Sequence, residues 1–247
     1  MIISNKTILI TGGGSGIGLE TAKLFAAKDN RVIIIGRNAE TLQKAAAGLK
    51  NINWFQADIT NAEDVEKLVN KLKTDFSDLS IVVNNAAAAY AYWHAEEANA
   101  FEKASEEIST NYLSVIRLNE KLLPVLKQQP EAAIVNVSSI VAFAPDAFIP
   151  TYSDTKAALH SYTLALRFTL SRDTKVKVFE LMPPLVKTHF SKGIGGLENG
   201  MPAADVAQAL VDGIENDLYE IHVAGTRDFR DLYLSNPTAA FDLLNQN

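Results

Sequence analysis

Hydrophobic residues along the chain fall into two alternating patterns. Short continuous apolar runs, such as residues 32–35 and 81–83, are rich in β-branched side chains. Runs of this kind are typical of strands that are buried on both faces of a parallel sheet. We predict seven strands, at residues 7–10, 31–35, 52–57, 79–83, 132–137, 176–181 and, with the weakest pattern, 220–224.

Longer segments between the strands carry apolar residues at the spacing of a helix that covers a sheet with one face. We predict six helices, at residues 16–28, 39–49, 62–75, 104–126, 152–171 and 203–216. Strands that alternate with helices predict an α/β fold with a doubly wound, parallel sheet of about seven strands. No internal repeat, low-complexity tract or linker-like composition interrupts the sequence, so we predict a single domain over residues 1–247.

Composition and charge exclude several classes of function. The net charge of −6 argues against a protein that binds nucleic acid through general electrostatics. The chain has no cysteine, which excludes disulfides and thiolate metal sites, and its four histidines show no metal-ligand spacing. No apolar run approaches the length that spans a bilayer, so we expect a cytoplasmic protein without a membrane partner or a bound metal.

A glycine-rich turn follows the first predicted strand and precedes the first predicted helix, over residues 11–18. Glycines let the backbone approach a pyrophosphate closely, and the free N–H groups at the start of the helix stabilise the anion. The context of strand, turn and helix favours a dinucleotide site over a plain tight turn. The predicted contacts are Gly12, Gly14, Ser15, Gly16, Ile17 and Gly18.

The end of the second predicted strand indicates which dinucleotide binds. An acid about 20 residues past the glycines usually holds the ribose 2′-hydroxyl, but here the sequence reads Gly36-Arg37-Asn38. Arg37 can pair with a 2′-phosphate through two parallel hydrogen bonds, so we predict NADP, with NAD less favoured. After the third strand, Asp58 and Ile59 are predicted to lie near the adenine, although Asp58 is about equally placed to brace its own loop.

Tyr152 and Lys156 are four residues apart in a predicted helix and therefore share one face. A free tyrosine titrates near ~10, and a nearby ammonium favours the phenolate and lowers that pKa. A tyrosine tuned in this way exchanges a proton with a carbonyl or alcohol oxygen. Thirteen residues upstream of Tyr152, Ser139 ends an apolar strand, where parallel sheets bind their ligands, and it can hold the substrate oxygen.

These motifs, in this order, resemble those of the short-chain dehydrogenase/reductase family, whose fold is of the Rossmann type. The resemblance covers nearly the whole sequence and includes Asn84-Asn85-Ala86 and Asn111. It implies that Tyr152 is the catalytic acid and base, that Lys156 lowers its pKa and binds the nicotinamide ribose, and that Ser139 orients the substrate oxygen. It further implies that Asn111 anchors a water that relays protons to Lys156. The remaining implied cofactor contacts are Asn85, Ala86, Pro183, Val186 and Thr188.

Two positions depart from the family pattern. Ala87 stands where the family usually has glycine, and Pro184 replaces the glycine of a Pro-Gly pair. Proline lacks an N–H group and fixes φ, so we expect a stiffer turn on the nicotinamide side. Within the family, the sequence around Ser138-Ser139 and Lys156 is similar to oxidoreductases of the DltE type.

The substrate pocket is predicted from aromatic residues and from a late loop. The loop near residues 189–202 carries four glycines and is either a mobile lid or a plain surface connection. Together with this loop, several aromatic side chains either form an apolar pocket wall or pack the loops and an oligomer contact. These side chains are Tyr90, Tyr92, Trp93, His94, Phe143 and Phe148.

The sequence thus predicts an NADP(H)-dependent oxidoreductase that acts on a small-molecule carbonyl or alcohol. The alternative is a nucleotide-sensing or scaffold protein on the same fold, but such relatives usually lose the tyrosine or the lysine. The long helices at 104–126 and 152–171 carry apolar residues on several faces, which favours a homodimer or homotetramer.

Overall fold

Seven parallel strands form the central sheet of the chain, whose computed structural model describes residues 1–246. The strands are β1 (Thr7–Thr11), β2 (Arg31–Gly36), β3 (Ile52–Gln56), β4 (Leu79–Asn84), β5 (Ala132–Val137), β6 (Val176–Met182) and β9 (Glu220–His222). Their order across the sheet is β3-β2-β1-β4-β5-β6-β9, with every neighbouring pair parallel. A separate pair of short strands, β7 (Val186–Lys187) and β8 (Met201–Pro202), lies outside this sheet.

Helices connect the strands and cover both faces of the sheet. They are α1 (Gly16–Ala27), α2 (Ala39–Ala46), α3 (Ala62–Asp75), α4 (Ala100–Ile108), α5 (Ser114–Leu126), α6 (Pro150–Asp173), α7 (Gly196–Asn199), α8 (Ala203–Glu215), α9 (Thr226–Ser235) and α10 (Pro237–Asn245). The prediction of a doubly wound parallel sheet of about seven strands is confirmed.

The core consists of two layers, one on each face of the sheet. Because side chains alternate along a strand, Ile8 and Ile10 of β1 point into the layer under α1, α2 and α8, whereas Leu9 points into the layer under α3, α5 and α6. The side chains of β1, β4 and β5 and most of those of β2 and β6 are buried on both faces, whereas those of the edge strand β3 are partly exposed. Each such burial contributes about 1.5–3 kcal/mol, which explains why the strands read as continuous apolar runs.

The helix predicted at 104–126 is wrong in its start and in its regularity. It begins at Ala100, and a π-helical turn over Ser109–Leu113 joins α4 to α5. Apolar periodicity did not reveal this turn, because one extra residue shifts the helix face without removing any hydrophobic position. π-helical turns often occur at functional sites, and this one contains Asn111.

The two C-terminal helices, α9 and α10, are absent from the sequence prediction. They bury few residues, with Phe229 and Ala240 as their apolar anchors on the segment that follows β5. Their local signal was the pair Asn236-Pro237, since Asn236 accepts a hydrogen bond from the N–H group of Ala239 and Pro237 begins the helix.

The strand order places the ligand edge of the sheet at its centre. β1 lies between β2 and β4. From β1 the chain winds toward one edge of the sheet through β2 and β3, and then toward the other edge from β4 onward. In open α/β sheets the crevice outside the carboxyl ends of the strands at such a reversal is the ligand site. The glycine-rich turn follows β1 at this point, and residues 137–139 end β5 on the same edge.

Candidate active site

A cavity of about 520 Å³ lies along the carboxyl edge of the sheet. Its lining includes the glycine-rich turn after β1, Arg37 after β2 and Asp58 after β3. Elsewhere it is lined by Tyr152 and Lys156 of α6. One continuous cavity therefore joins the predicted phosphate cradle to the predicted reactive side chains.

The backbone of the glycine-rich turn leaves no room for side chains. Gly12 and Gly16 both have positive φ, at 65° and 53°. A Cβ atom on Gly12 would lie 3.0 Å from the Cα of Ala86, and one on Gly16 would lie 3.0 Å from the Cγ2 of Thr188. Glycine is required at both positions, because L side chains rarely adopt this conformation and neighbouring atoms fill the space.

The other residues of the glycine-rich turn differ in whether they line the cavity. Ser15 and Ile17 line the cavity, and the side chain of Ser15 makes no capping bond to helix α1. Gly14 and Gly18 do not line the cavity. A Cβ atom on Gly14 would lie 3.1 Å from Thr41, and one on Gly18 would lie 2.5 Å from the carbonyl oxygen of Gly12. Gly14 and Gly18 therefore allow the turn to pack closely against its neighbours.

Asn85 fastens the end of β4 to the glycine-rich turn. Its Nδ2 atom donates to the carbonyl oxygens of Thr11 and Gly12 at 2.9 and 3.3 Å. The Thr11 hydroxyl accepts hydrogen bonds from the N–H groups of Asn85 and Ala86, both at 2.9 Å. Ala86 and Ala87 face the cavity, so the methyl group of Ala87 forms part of its wall.

Arg37 lies at the mouth of the cavity, with its side chain 70% exposed. Its nearest acidic partner is Glu106, 3.9 Å away, and Glu106 also accepts a hydrogen bond from the Tyr90 hydroxyl. An exposed guanidinium with one long ion pair remains free to bind an anion. Its positive charge at this position suits an anionic group of a ligand in the cavity.

Asp58 and Ile59 line the same end of the cavity. Oδ1 of Asp58 accepts hydrogen bonds from the N–H group and the hydroxyl of Thr60, at 2.9 and 2.7 Å. The carboxylate thus braces its own loop, which is one of the two interpretations that the sequence left open. Asp58 also borders the cavity.

Lys156 is buried at the centre of the site. Its Nζ atom donates a 2.8 Å hydrogen bond to the carbonyl oxygen of Val137 and lies 5.3 Å from the ring centroid of Tyr152. Burial lowers the pKa of Lys156 to about 8, while the carboxylate of Glu180 opposes this change. The two side chains share one face of α6, as the spacing predicts.

The expectation that Lys156 lowers the pKa of Tyr152 is not met in this structure. Burial raises the pKa of the Tyr152 phenol, the neighbouring Ser139 hydroxyl lowers it, and the negative charge of Glu107 raises it further. Burial outweighs the neighbouring ammonium of Lys156, which is bonded to Val137 and lies beside the ring of Tyr152. Tyr152 is therefore held as a neutral phenol, the form that donates a proton.

Ser139 follows β5 beside Tyr152, and its two hydrogen bonds to backbone groups are long. Its hydroxyl donates to the carbonyl oxygen of Pro183 at 3.5 Å and accepts from the N–H group of Val141 at 3.4 Å. Both contacts are at the limit of a hydrogen bond, so little is lost when the hydroxyl turns toward another oxygen in the cavity.

Asn111 does not line the cavity, and its side chain is already engaged. Nδ2 donates to the carbonyl oxygen of Ala88 at 2.8 Å and to the hydroxyl of Thr155 at 2.9 Å, and Oδ1 accepts from the N–H group of Ala88 at 2.8 Å. The π-helical turn thus fastens the loop after β4 to α6. Both N–H donors of Nδ2 are used. A water bound to Asn111 would therefore have to donate a hydrogen bond to one of the carbonyl oxygens of this residue.

The segment after β6 closes the site opposite the glycine-rich turn. Pro183, Val186 and Thr188 line the cavity, with the methyl group of Thr188 close to Gly16. The Ser191 hydroxyl donates to the carbonyl oxygen of Val186 and lies 3.2 Å from the hydroxyl of Thr188. Pro184 also borders the cavity, where its ring stands in place of the usual glycine.

Of the two interpretations of the six aromatic side chains, the structure supports packing of the loops and not a pocket wall. None of the six lines the cavity, and they pack against neighbouring loops and rings. Tyr92 bonds to the backbone of Phe148, Trp93 lies 5.3 Å from Phe148, and Phe143 lies between His160 and His222. The late loop does contribute, through Phe190, Ser191 and Ile194, with the ring of Phe190 6.0 Å from that of Tyr152.

The C-terminal helix supplies the remaining apolar wall. Leu243 and Leu244 of α10 line the cavity together with Ile149. The side chain of Asn245 donates to the carbonyl oxygen of Pro145 at 3.1 Å and accepts from the N–H group of Ala147 at 2.7 Å. These bonds fasten α10 to the loop that leads into α6.

Two buried acids near the reactive pair were missed by the sequence analysis. Glu107 of α4 and Glu180 of β6 are fully buried. Glu107 accepts hydrogen bonds from the N–H group of Tyr90 and the hydroxyl of Thr151, and burial raises its pKa. A signal existed for Glu180, since an acid inside an apolar strand needs a buried partner.

Within residues 1–246, no group of three metal-ligating side chains is assembled. No helix in that range is both long and apolar enough to cross a membrane.

Comparisons with known sequences agree with this geometry. A family model for short chain dehydrogenase matches residues 6–196. The chain is 36% identical to an uncharacterised oxidoreductase, DltE, from Bacillus subtilis (strain 168), over 99% of this chain and 98% of that protein. It is 35% identical to a serine 3-dehydrogenase from Agrobacterium fabrum, over 75% of this chain and 74% of that protein.

Solved structures show the same fold. A short chain dehydrogenase from Burkholderia cenocepacia in complex with NADP superposes with a TM-score of 0.87 at 23% identity, over 99% of both chains. A 3-ketoacyl-(acyl-carrier-protein) reductase from Brucella melitensis complexed with NADH gives a TM-score of 0.79 at 27% identity, over 86% of this chain and 91% of that chain.

Proposed function

The chain belongs to the short-chain dehydrogenase family, and we propose that it is an NADP(H)-dependent oxidoreductase with Tyr152 as its acid and base. As a member of this family it is an oxidoreductase that acts on CH–OH or C=O groups. One observation supports the finer proposal most: Tyr152, Lys156 and Ser139 border the same cavity as the glycine-rich turn.

The residues along the cavity fit a nicotinamide dinucleotide. Gly12 and Gly16 line the cavity and leave no room for a Cβ atom, and the uncapped start of α1 offers free N–H groups to a pyrophosphate. Thr188 and Lys156 border the cavity and would hold the nicotinamide riboside. When bound, the nicotinamide ring supplies or accepts the hydride.

The proton transfer is carried by side chains of the chain itself. For carbonyl reduction, the neutral phenol of Tyr152 donates its proton to the substrate oxygen, and its raised pKa keeps that proton available at neutral pH. The ammonium of Lys156 then stabilises the phenolate that remains. The Ser139 hydroxyl donates a hydrogen bond to the same substrate oxygen, because its present hydrogen bonds to backbone groups are long. In alcohol oxidation the proton moves back to Tyr152.

Exchange of Tyr152 for phenylalanine tests this assignment. Y152F removes the proton donor but keeps the ring, so we expect turnover with a panel of carbonyls to fall by at least about a hundredfold. Binding of NADPH, followed by its fluorescence, should change little. Retained turnover in Y152F would contradict the role of Tyr152. Absence of turnover in the wild-type protein across carbonyls and alcohols would favour the nucleotide-sensing alternative.

The preference for NADP rests on Arg37 and Ser15 at the mouth of the cavity. We expect the wild-type protein to bind NADPH more tightly than NADH. R37A should weaken NADPH binding by roughly 1.5–3 kcal/mol, since a charge-assisted contact is lost, and should leave NADH binding nearly unchanged. Titration of both proteins with both dinucleotides measures this, and K44A, a lysine on the exposed face of α2, is the charge control. Equal loss of both dinucleotides in R37A would overturn the preference.

A further inference from the structure

Glu180 is a buried carboxylate that the proposed proton transfer does not use. It lies in β6 opposite Asn136 of β5, where the two strands end beside α6. Its side chain is inaccessible to solvent, yet its neighbours along the strand, Phe179 and Leu181, belong to the apolar core. An unpaired buried carboxylate costs several kcal/mol, so its partners indicate why it is there.

Two polar side chains bind the carboxylate of Glu180. Nδ1 of His160 lies 3.0 and 2.9 Å from its two oxygens, and the hydroxyl of Ser138 donates to Oε1. Lys156 is four residues before His160 on α6, and its ammonium is bonded to the carbonyl oxygen of Val137, next to Ser138. The carboxylate and this ammonium have opposite charges, and the carboxylate opposes the effect of burial on the pKa of Lys156.

Ser138 connects this cluster to the reactive residues. It is flanked by Val137, whose carbonyl oxygen accepts the hydrogen bond from Lys156, and by Ser139. The bonds of Ser138 and Lys156 thus fix three consecutive residues, 137–139, between Glu180 and α6. A displacement of Glu180 would be transmitted to Lys156 through the backbone and through charge.

Other ionisable groups near the cluster act mainly on its histidines. Arg167 of α6 is paired with Glu220 of β9, and both influence His160. His222 of β9 is buried without a hydrogen bond, and its pKa is lowered mainly by burial, with Arg227 and Arg230 lowering it further. The carboxylate of Glu180 raises the pKa of His160 through their hydrogen bond. For Lys156, Glu180 is the charge that opposes the effect of burial.

We propose that Glu180 is a positioning residue for the proton-transfer pair. Through Ser138 its carboxylate holds residues 137–139, and with them the carbonyl oxygen that binds the ammonium of Lys156, in place beside Tyr152, while His160 holds the carboxylate from the helix. This inference rests on the proposed function of Tyr152 and Lys156. The negative charge of Glu180 also opposes the loss of the Lys156 proton, and a neutral amine at Lys156 cannot stabilise a phenolate.

The direct test is the titration of Lys156 in the cofactor-free protein. The ¹³Cε resonances of labelled lysines are followed against pH, and the Lys156 resonance is assigned by its loss in K156A. In the wild-type protein we expect Lys156 to lose its proton near pH 8. In E180Q it should do so at a measurably lower pH, because the opposite charge that favours the ammonium is gone.

Two variants serve as controls for charge and shape. E220Q removes an acid from the neighbouring strand that is paired with Arg167, and it should leave the Lys156 titration unchanged. E180D keeps the charge and should restore most of the wild-type titration. If E180Q fails to fold, the double variant E180Q/H160F removes the imidazole that lost its acceptor and carries the same expectation, because a phenyl ring suits the contact with Phe143.

The proposal makes a second, kinetic prediction. With NADPH and a carbonyl substrate, kcat of E180Q should fall at a lower pH than kcat of the wild-type protein, with KM nearly unchanged. An unaltered Lys156 titration in E180Q would overturn the proposal, and so would an altered titration without a matching change in the pH profile of kcat. A wild-type protein without turnover would instead overturn the proposed function, while the titration remains readable.

Discussion

At the scale of single residues, Tyr152 is subject to opposing influences. Ser139 favours loss of its proton, whereas burial and the charge of Glu107 oppose it. Glu107 also begins a chain of hydrogen bonds that runs through the hydroxyl of Thr151 to the hydroxyl of Tyr92, 2.8 Å from it. Glu107, which opposes the loss of the Tyr152 proton, therefore accepts a hydrogen bond from Thr151, the residue before Tyr152.

Removal of the Glu107 charge should make Tyr152 a better base. In E107Q the amide donates to Thr151, and the two hydroxyls of the chain reverse direction, so the variant keeps its hydrogen bonds. The pKa of Tyr152 falls, and the acidic limb of alcohol oxidation moves to lower pH. We expect oxidation at pH 7 to be roughly two- to fivefold faster than in the wild-type protein.

The sign of this effect can be checked across pH. Burial raises the pKa of Glu107, so at acid pH the wild-type carboxyl becomes neutral and the difference between the two proteins should disappear. E106Q removes an exposed acid from the same helix and should leave the pH of the acidic limb of alcohol oxidation unchanged. A profile of kcat/KM for oxidation between pH 5 and 10 measures all three proteins, and identical profiles for E107Q and the wild-type protein would refute the role of Glu107.

At the scale of elements, α10 controls the apolar end of the cavity. Leu243 and Leu244 line that end, and Asn245 fastens the helix to the loop before α6. N245A should cost about 1 kcal/mol of stability for each hydrogen bond lost and should loosen the wall. We expect KM for bulky carbonyls to rise roughly threefold or more, with little change in the affinity for NADPH.

A cap at the other end of α10 provides the matched control. Asn236 caps the start of the helix, so N236A should cost a similar free energy of unfolding, about 1 kcal/mol, without freeing the loop. Urea unfolding and substrate kinetics of both variants separate the two effects. Equal KM values in N236A and N245A would mean that helix stability alone, and not the bond to the loop, shapes the pocket.

These elements also show where sequence reasoning succeeds and where it fails. The inner strands of the sheet were predictable because they bury both faces and therefore read as apolar runs. The cradle at Gly12 and Gly16 was predictable because backbone geometry admits no other residue there. α10 was not predictable in the same way, since it buries few residues and its bonds to the loop before α6 join distant parts of the chain, as in the bond of Asn245 to Ala147.

The neighbourhood of the reactive pair was predictable in identity but not in energetics. Spacing places Tyr152 and Lys156 together, and the structure brings them together. Burial sets the direction of the pKa shift of Tyr152, and it is reinforced by Glu107, which lies 45 residues earlier in sequence and reaches the site through the packing of α4 on α6. Aromatic composition near residues 90–94 suggested a pocket wall, but rings also pack loops, and here they do so.

At the scale of the whole molecule, apolar side chains remain exposed on the long helices. Phe168 and Leu164 of α6 are 70% and 40% exposed, and Phe101 of α4 is 80% exposed. We propose that these helices pair between copies of the chain, which would cover such side chains. Light scattering should give a mass of at least twice 26.9 kDa, and F168E should lower it.

A matched variant distinguishes pairing from general surface effects. Leu234 of α9 is 64% exposed but lies on a different helix, so L234E should leave the mass unchanged. A wild-type mass of one chain would refute the homodimer or homotetramer. Loss of mass in L234E instead of F168E would move the contact to the C-terminal helices.

The division of the cavity between two stretches of chain has a consequence for how such proteins diversify. The cradle, Arg37 and Asp58 come from residues 12–87, whereas Ser139, Tyr152, Lys156 and the apolar wall come from residues 137–244, with Thr188 touching Gly16 as a link between the two. Mutations that retune the preferred dinucleotide and mutations that reshape the substrate therefore fall in different segments of the gene. Each trait can be inherited, or exchanged by recombination near the end of β4, largely without disturbing the other.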